Sequence, residues 1–218
     1  MVLAPVSARR TTFTFSRPFK KIVRGRPMQT TIHHAAVHRI FPVLLLLAAA
    51  FFAVTVFVGF NADSAITANT AADEDSRHWS TVHFLLALTT SLAVMFVNSV
   101  VVTYFIGTSR WCREVVEAYS LRPELAQRSY QLKRRTFPFS LVNMLAIIGL
   151  AALGAAADTV STSGSISWTE FHLLGVLLTL AFMAFASYVQ WSNIRANQIV
   201  IGDILAEVRL IRAEKGLD

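Results

Sequence analysis

Residues 82–106 read VHFLLALTTSLAVMFVNSVVVTYFI, 25 positions without a lysine, arginine, aspartate or glutamate. About 20 apolar residues in a helix cross a hydrocarbon core of roughly 30 Å. A backbone in lipid must satisfy its own polar groups, so such a run has to be helical. Residues 40–62, 137–157 and 171–194 are equally free of charge. The expected fold class is therefore an all-α membrane protein, a four-transmembrane-helix bundle. A secretory signal peptide is not expected, because the first apolar run starts near residue 40 and carries no small-residue cleavage pattern.

Composition agrees. Of 218 residues, 54% are hydrophobic and 15% charged, against about 25% charged in soluble domains. The formal charge of +7 suggests nucleic acid until it is located. Arg9, Arg10, Arg17, Lys20, Lys21, Arg24 and Arg26 account for all of it, in an acid-free stretch that leaves the remainder neutral overall. This is a tail and not a groove, so no nucleic-acid partner is expected. Residues 1–28 are expected to be a disordered basic tail that sets topology and leans on anionic lipid. A transit peptide and a true translation start at Met28 are the other readings of that stretch. The single Cys112 cannot form an internal disulfide.

Loop charge gives orientation. The segment 108–136 carries seven basic residues against three acidic ones, whereas 63–79 holds Asp63, Asp73, Glu74 and Asp75 against Arg77 alone. Residues 158–170 contain no base. Positive charge stays inside, so both termini and the 108–136 connection are expected in the cytoplasm. Trp79 and Trp168, at the outer starts of the second and fourth runs, suit an interfacial aromatic belt.

The four runs read as one hairpin written twice. Arg39-Ile40-Phe41-Pro42 opens the first and Arg135-Thr136-Phe137-Pro138 the third; Asp63 and Asp158 close them. Trp79 precedes His83 by four residues, as Trp168 precedes His172. The expected units are 29–119 and 120–218, parallel repeats related by an axis along the membrane normal. Each proline, placed at a span's start, is expected to fall where first-turn N–H groups are unpaired anyway. Beyond the spans, Trp111, Val115 and Ala118 share a side of one exit, and Ile201, Ile204, Leu205, Val208 and Ile211 share a side of the other. These stripes predict helical cytoplasmic extensions that pack together or hold a partner.

At 100° per residue, His83 shares its face with Thr90 and Asn98, and His172 shares its face with Thr179, Ser187 and Gln190. Polar residues on one stripe of a membrane helix turn inward, where they find partners that lipid lacks. Two facing imidazoles would suit the axial positions of a haem b between the second and fourth spans, with Thr90 and Thr179 lining the pocket. The chain would then be a small b-type cytochrome or the haem-bearing subunit of a redox assembly. A metal site at the outer rim would add Asp63 and Asp158 to His83 and His172. The third expectation is a cofactor-free structural or assembly subunit, with the histidines packing near the headgroups. Membrane lipid, a redox or membrane-complex partner and a second copy of the chain are the partners these readings imply. His34 and His38, spaced i and i+4, form a weaker metal clip, more simply a solvated face. Asn98 and Ser187 are expected to bond between helices. No phosphate loop, nucleophile–base pair or zincin pattern is present, and an independent hydrolase or kinase is not expected.

Overall fold

The computed structural model describes residues 31–68, 74–159 and 168–217, with side chains for 40–61, 78–156 and 168–217. Among the described residues there are four α-helices and no strand: α1 Thr31–Ala68, α2 Glu74–Tyr119, α3 Pro123–Thr159 and α4 Trp168–Glu214. Each is long and apolar enough to cross a membrane. The protein is a multi-pass integral membrane protein. Its lipid-facing surface follows from the same composition, with Val43, Leu46 and Phe57 on α1, Leu92 and Phe96 on α2, and Leu178 and Phe185 on α4 all exposed.

Every helix packs on its neighbour in sequence, α4 also meets α1 and α2, and α1 and α3 do not touch among the described residues. Both prolines lie inside helices, Pro42 in α1 and Pro138 in α3. This corrects the expectation of a first-turn position, since the helices begin well before the charge-free runs. Each proline instead deletes one backbone bond where its helix enters the apolar zone, the position at which kinks arise.

The α2–α3 connection is set by local chemistry. Ser120 adopts a left-handed φ of 53°. Its N–H bonds to the Glu117 carbonyl, and the Leu121 N–H reaches back to the Val116 carbonyl at 2.9 Å. This is a Schellman cap, closed by burial of Leu121 and Val116 in the same cluster. Pro123 then occupies the first turn of α3, where its missing N–H costs nothing. The end of α4 repeats the device: Gly216 has φ 61° and Leu217 N–H bonds to the Arg212 carbonyl at 3.0 Å.

Two apolar clusters hold the bundle. One, around Phe41, Phe52, Val94, Phe105, Ile147 and Ile194, fills the interior of the charge-free runs. The other joins Cys112 and Val116 of α2, Leu125 of α3, and Val200, Ile201, Ile204 and Val208 of α4, beyond those runs. The expected exit stripes therefore pack on each other and on the start of α3. Ala118 is exposed, however, and Cys112 and Val116 take the inward side of α2. Burial recurs at fixed intervals. Thr90, Val94, Asn98, Val101 and Phe105 are buried, and so, 89 residues later in each case, are Thr179, Met183, Ser187, Gln190 and Ile194. Phe41, Ala48 and Phe52 are matched 95 residues later by Thr136, Asn143 and Ile147. Phe137, the partner of Phe41 in the Phe-Pro match, is exposed, so burial runs one position out of step with that motif.

Candidate functional site

The histidine end comes first. An added Cβ at Gly59 of α1 would lie 2.8 Å from Cε1 and 3.1 Å from Nδ1 of His83. The same construction at Gly154 of α3 gives 3.1 Å to Cε1 and 3.5 Å to Nδ1 of His172. Each imidazole therefore sits edge-on over a bare stretch of backbone in its own hairpin, α2 on α1 and α4 on α3. A Cβ would force the ring to shift at Gly59 and would crowd it by a few tenths of an ångström at Gly154. Gly59 precedes Asp63 by four residues and Gly154 precedes Asp158 by four. Both Nδ1 atoms are fully buried, and that of His83 has no hydrogen-bond partner.

Two turns along α2 from His83, Thr90 is buried and its hydroxyl is 2.7 Å from that of Thr55, again tying α2 to α1. Thr179 is buried at the corresponding place in α4. Next comes an apolar layer to which each helix contributes one buried side chain: Phe52, Val94, Ile147 and Met183. Below it lies an amide cluster that joins three helices. Gln190 Nε2 donates to Asn98 Oδ1 at 2.9 Å and to Ser140 Oγ at 3.1 Å, and Asn143 Nδ2 approaches Asn98 Oδ1 at 3.4 Å. Asn143 Oδ1 is buried without a partner. Asn193 Nδ2 donates to Thr136 Oγ1 at 2.9 Å. A second set centres on Asn197, which donates to Tyr104 Oη and Thr108 Oγ1 and accepts from Ser129 Oγ at 2.8 Å.

The structure thus brings Asn98, Asn143, Ser140 and Gln190 together, whereas His83 and His172 occupy separate seats. Asn98 bonds between helices as expected, and most of its network was not anticipated. Ser140, Asn143 and Asn197 carry a signal that pattern reading can detect, being uncharged polar residues that recur inside or beside apolar runs. Gly59 and Gly154 carry another, the repeated glycine four residues before each span-closing aspartate.

A bis-histidine haem requires two rings that share one space between α2 and α4. In this structure each ring lies against its own hairpin, and the Thr90 hydroxyl is engaged by Thr55. For the rim metal, the side chains of Asp63 and Asp158 lie outside the described residues, as do those of His33, His34 and His38. No cluster of three or more His, Cys, Asp or Glu side chains occurs among the described residues. His78 is exposed and meets Trp79 edge-on, with ring centroids 6.2 Å apart.

At the opposite end, Arg122 of the α2–α3 connection pairs with Glu207 of α4. The carboxylate holds the guanidinium further above its already high range, so the arginine stays charged at any pH the protein meets. Comparison with family models, with curated proteins and with solved structures finds no match to this chain.

Proposed function

We propose that this chain is a structural or assembly subunit of a membrane complex, with both termini in the cytoplasm, in which the histidines serve as packing elements and hold no cofactor. The observation that carries this reading is the seating of His83 on Gly59 and of His172 on Gly154. A ring pressed edge-on against backbone is committed to joining two helices. The buried polar network supports it as well, since interhelical hydrogen bonds are a principal adhesive where lipid removes the hydrophobic drive.

On this proposal the chain is a duplicated hairpin. The equal intervals between buried positions support this, as do the paired glycine–histidine seats. Orientation rests on the basic 108–136 segment and the acidic outer turns. On that orientation the second apolar cluster is a cytoplasmic extension, and Leu210, exposed on α4 beyond the charge-free run, offers a partner apolar contact.

The test is a single preparation of the full chain, extracted from its own membranes in mild detergent. Its mass by native gel and its dithionite-reduced minus air-oxidised spectrum are recorded together, beside His83→Ala and His172→Ala. An assembly well above the 24.1 kDa of one chain, without a haem band, is expected. A sharp α-band lost in either variant would replace this reading with the cytochrome. A colourless monomer would remove both.

A further inference from the structure

A groove opens on the lipid-facing side between α2 and α3, lined by Ser99, Val102, Thr103, Phe137, Leu141 and Met144 and enclosing about 320 Å³. It lies wholly within the charge-free runs. Its walls are apolar apart from Ser99 and Thr103, and the Ser99 hydroxyl is turned back onto its own helix at the Met95 carbonyl, 2.8 Å away. The groove therefore presents hydrocarbon, and a partner for it must be hydrocarbon too.

Charge appears at one end only. The helices are antiparallel, and the step toward the Leu121 connection leads up α2 and down α3. One turn beyond Phe137 on α3, on the same helix face, stand Lys133 and Arg134. Two turns beyond Thr103 on α2 stands Arg110. Arg110 and Arg134 are exposed, and the Lys133 ammonium lies over the Tyr130 ring at 4.8 Å. Glu114 neutralises part of Arg110 through an ion pair at 2.8 Å; Lys133 and Arg134 make no ion pair among the described residues. Between groove and cations lies Gly107, where an added Cβ would meet nothing within 4 Å, so no side chain overhangs the path.

We propose that this groove is a binding site for an anionic phospholipid, with one acyl chain lying against Phe137, Leu141 and Met144 and the phosphate held by Lys133 and Arg134, assisted by Arg110. The apolar length and the cationic mouth match the two halves of such a lipid. The cations stand just outside the charge-free runs, where headgroups lie. Basic pockets at the ends of membrane helices attract anionic headgroups in this way.

The test uses the full-length chain in mild detergent, with dioleoyl phosphatidylglycerol or dioleoyl phosphatidylcholine added in equal amounts and the retained lipid counted by native mass spectrometry. Wild type is expected to retain the anionic lipid about tenfold more than the zwitterionic one. The Lys133→Gln/Arg134→Gln chain should bring that ratio close to one. Thr103→Trp, which fills the groove, should lower retention of both lipids, whereas Leu46→Trp on the exposed face of α1 should not. Equal retention of the two lipids by wild type would overturn the proposal. So would a preference surviving in the double variant, which would place it on the N-terminal tail, or full retention by Thr103→Trp. If the double variant fails to fold, Arg134→Gln and Arg110→Gln singly read the same ratio.

Discussion

Gln190 of α4 donates to Asn98 of α2 at 2.9 Å across the centre of the bundle, and both side chains are at most 2% exposed. α2 and α4 are second neighbours in sequence, and each makes its larger contacts with α3. This bond, with those from Asn197 and Gln198, ties the two even-numbered helices together beside their apolar contacts. Ser140 and Asn143 of α3 complete the cluster from the third side.

Replacing Gln190 by leucine should therefore cost stability, since it strips Asn98 and Ser140 of a buried donor. In membrane bundles such a loss is about 1 kcal/mol. Asn143→Leu should cost clearly less or even stabilise, because it also removes a buried carbonyl that has no partner. Reversible unfolding in mixed micelles with increasing SDS measures both. Equal losses would show that the two amides carry the cluster alike.

The histidine seats give a prediction in which the sign reverses. Gly59→Ala places a methyl 2.8 Å from the His83 ring, so the ring must leave its seat and the variant should be destabilised. In a His83→Ala background the obstacle is gone, and the same change should stabilise by up to about 1 kcal/mol through helix propensity. The double-mutant cycle, run in the same unfolding assay, would then show strong coupling. The 3.1 Å approach at Gly154 should give the same pattern with a smaller amplitude. Additive effects at either site would mean that the rings are not seated on glycine.

Ser120 holds a left-handed φ of 53° that a side chain disfavours. Ser120→Gly should stabilise the protein by about 1 kcal/mol, and Ser120→Val should destabilise it, with a β-branched Cβ forced into the Schellman cap. The unfolding midpoint reads both. A neutral glycine variant would show that the turn relaxes elsewhere.

Cys112 is fully buried where α2, α3 and α4 converge beyond the charge-free runs. A maleimide added to the folded protein in mild detergent should label it slowly, with complete labelling after unfolding in SDS. Rapid labelling of the folded protein would place the second cluster open to water.

The spans were legible because lipid imposes a single rule, charge-free helical runs of sufficient length, and the sequence obeys it four times. The exit helices were legible from their stripes. The helix starts were not: Pro42 and Pro138 look like first-turn residues in a window that begins at the apolar run, but residues 31–41 and 123–137 continue the same helices outward. At the site, periodicity fixed which face His83 and His172 share with Thr90 and Thr179. A periodic pattern names a face and never the neighbour on it. His83 lies against α1 at Gly59, a fact of packing between helices. The amide cluster was half visible for the same reason: Asn98 was evident on its own helix, whereas its partners Gln190 and Asn143 are paired with it only by the register between helices.

The apolar layer of Phe52, Val94, Ile147 and Met183 has an electrical consequence. It parts the hydroxyls of Thr55 and Thr90 from the amides below, so the polar interior is a series of separate short clusters rather than one wire. Each elementary charge driven across a membrane at 100 mV gains about 2.3 kcal/mol. An unbroken line of hydroxyls, amides and trapped water would let protons harvest that drop. The buried apolar side chains between the threonine pair and the amides interrupt such a line at that depth.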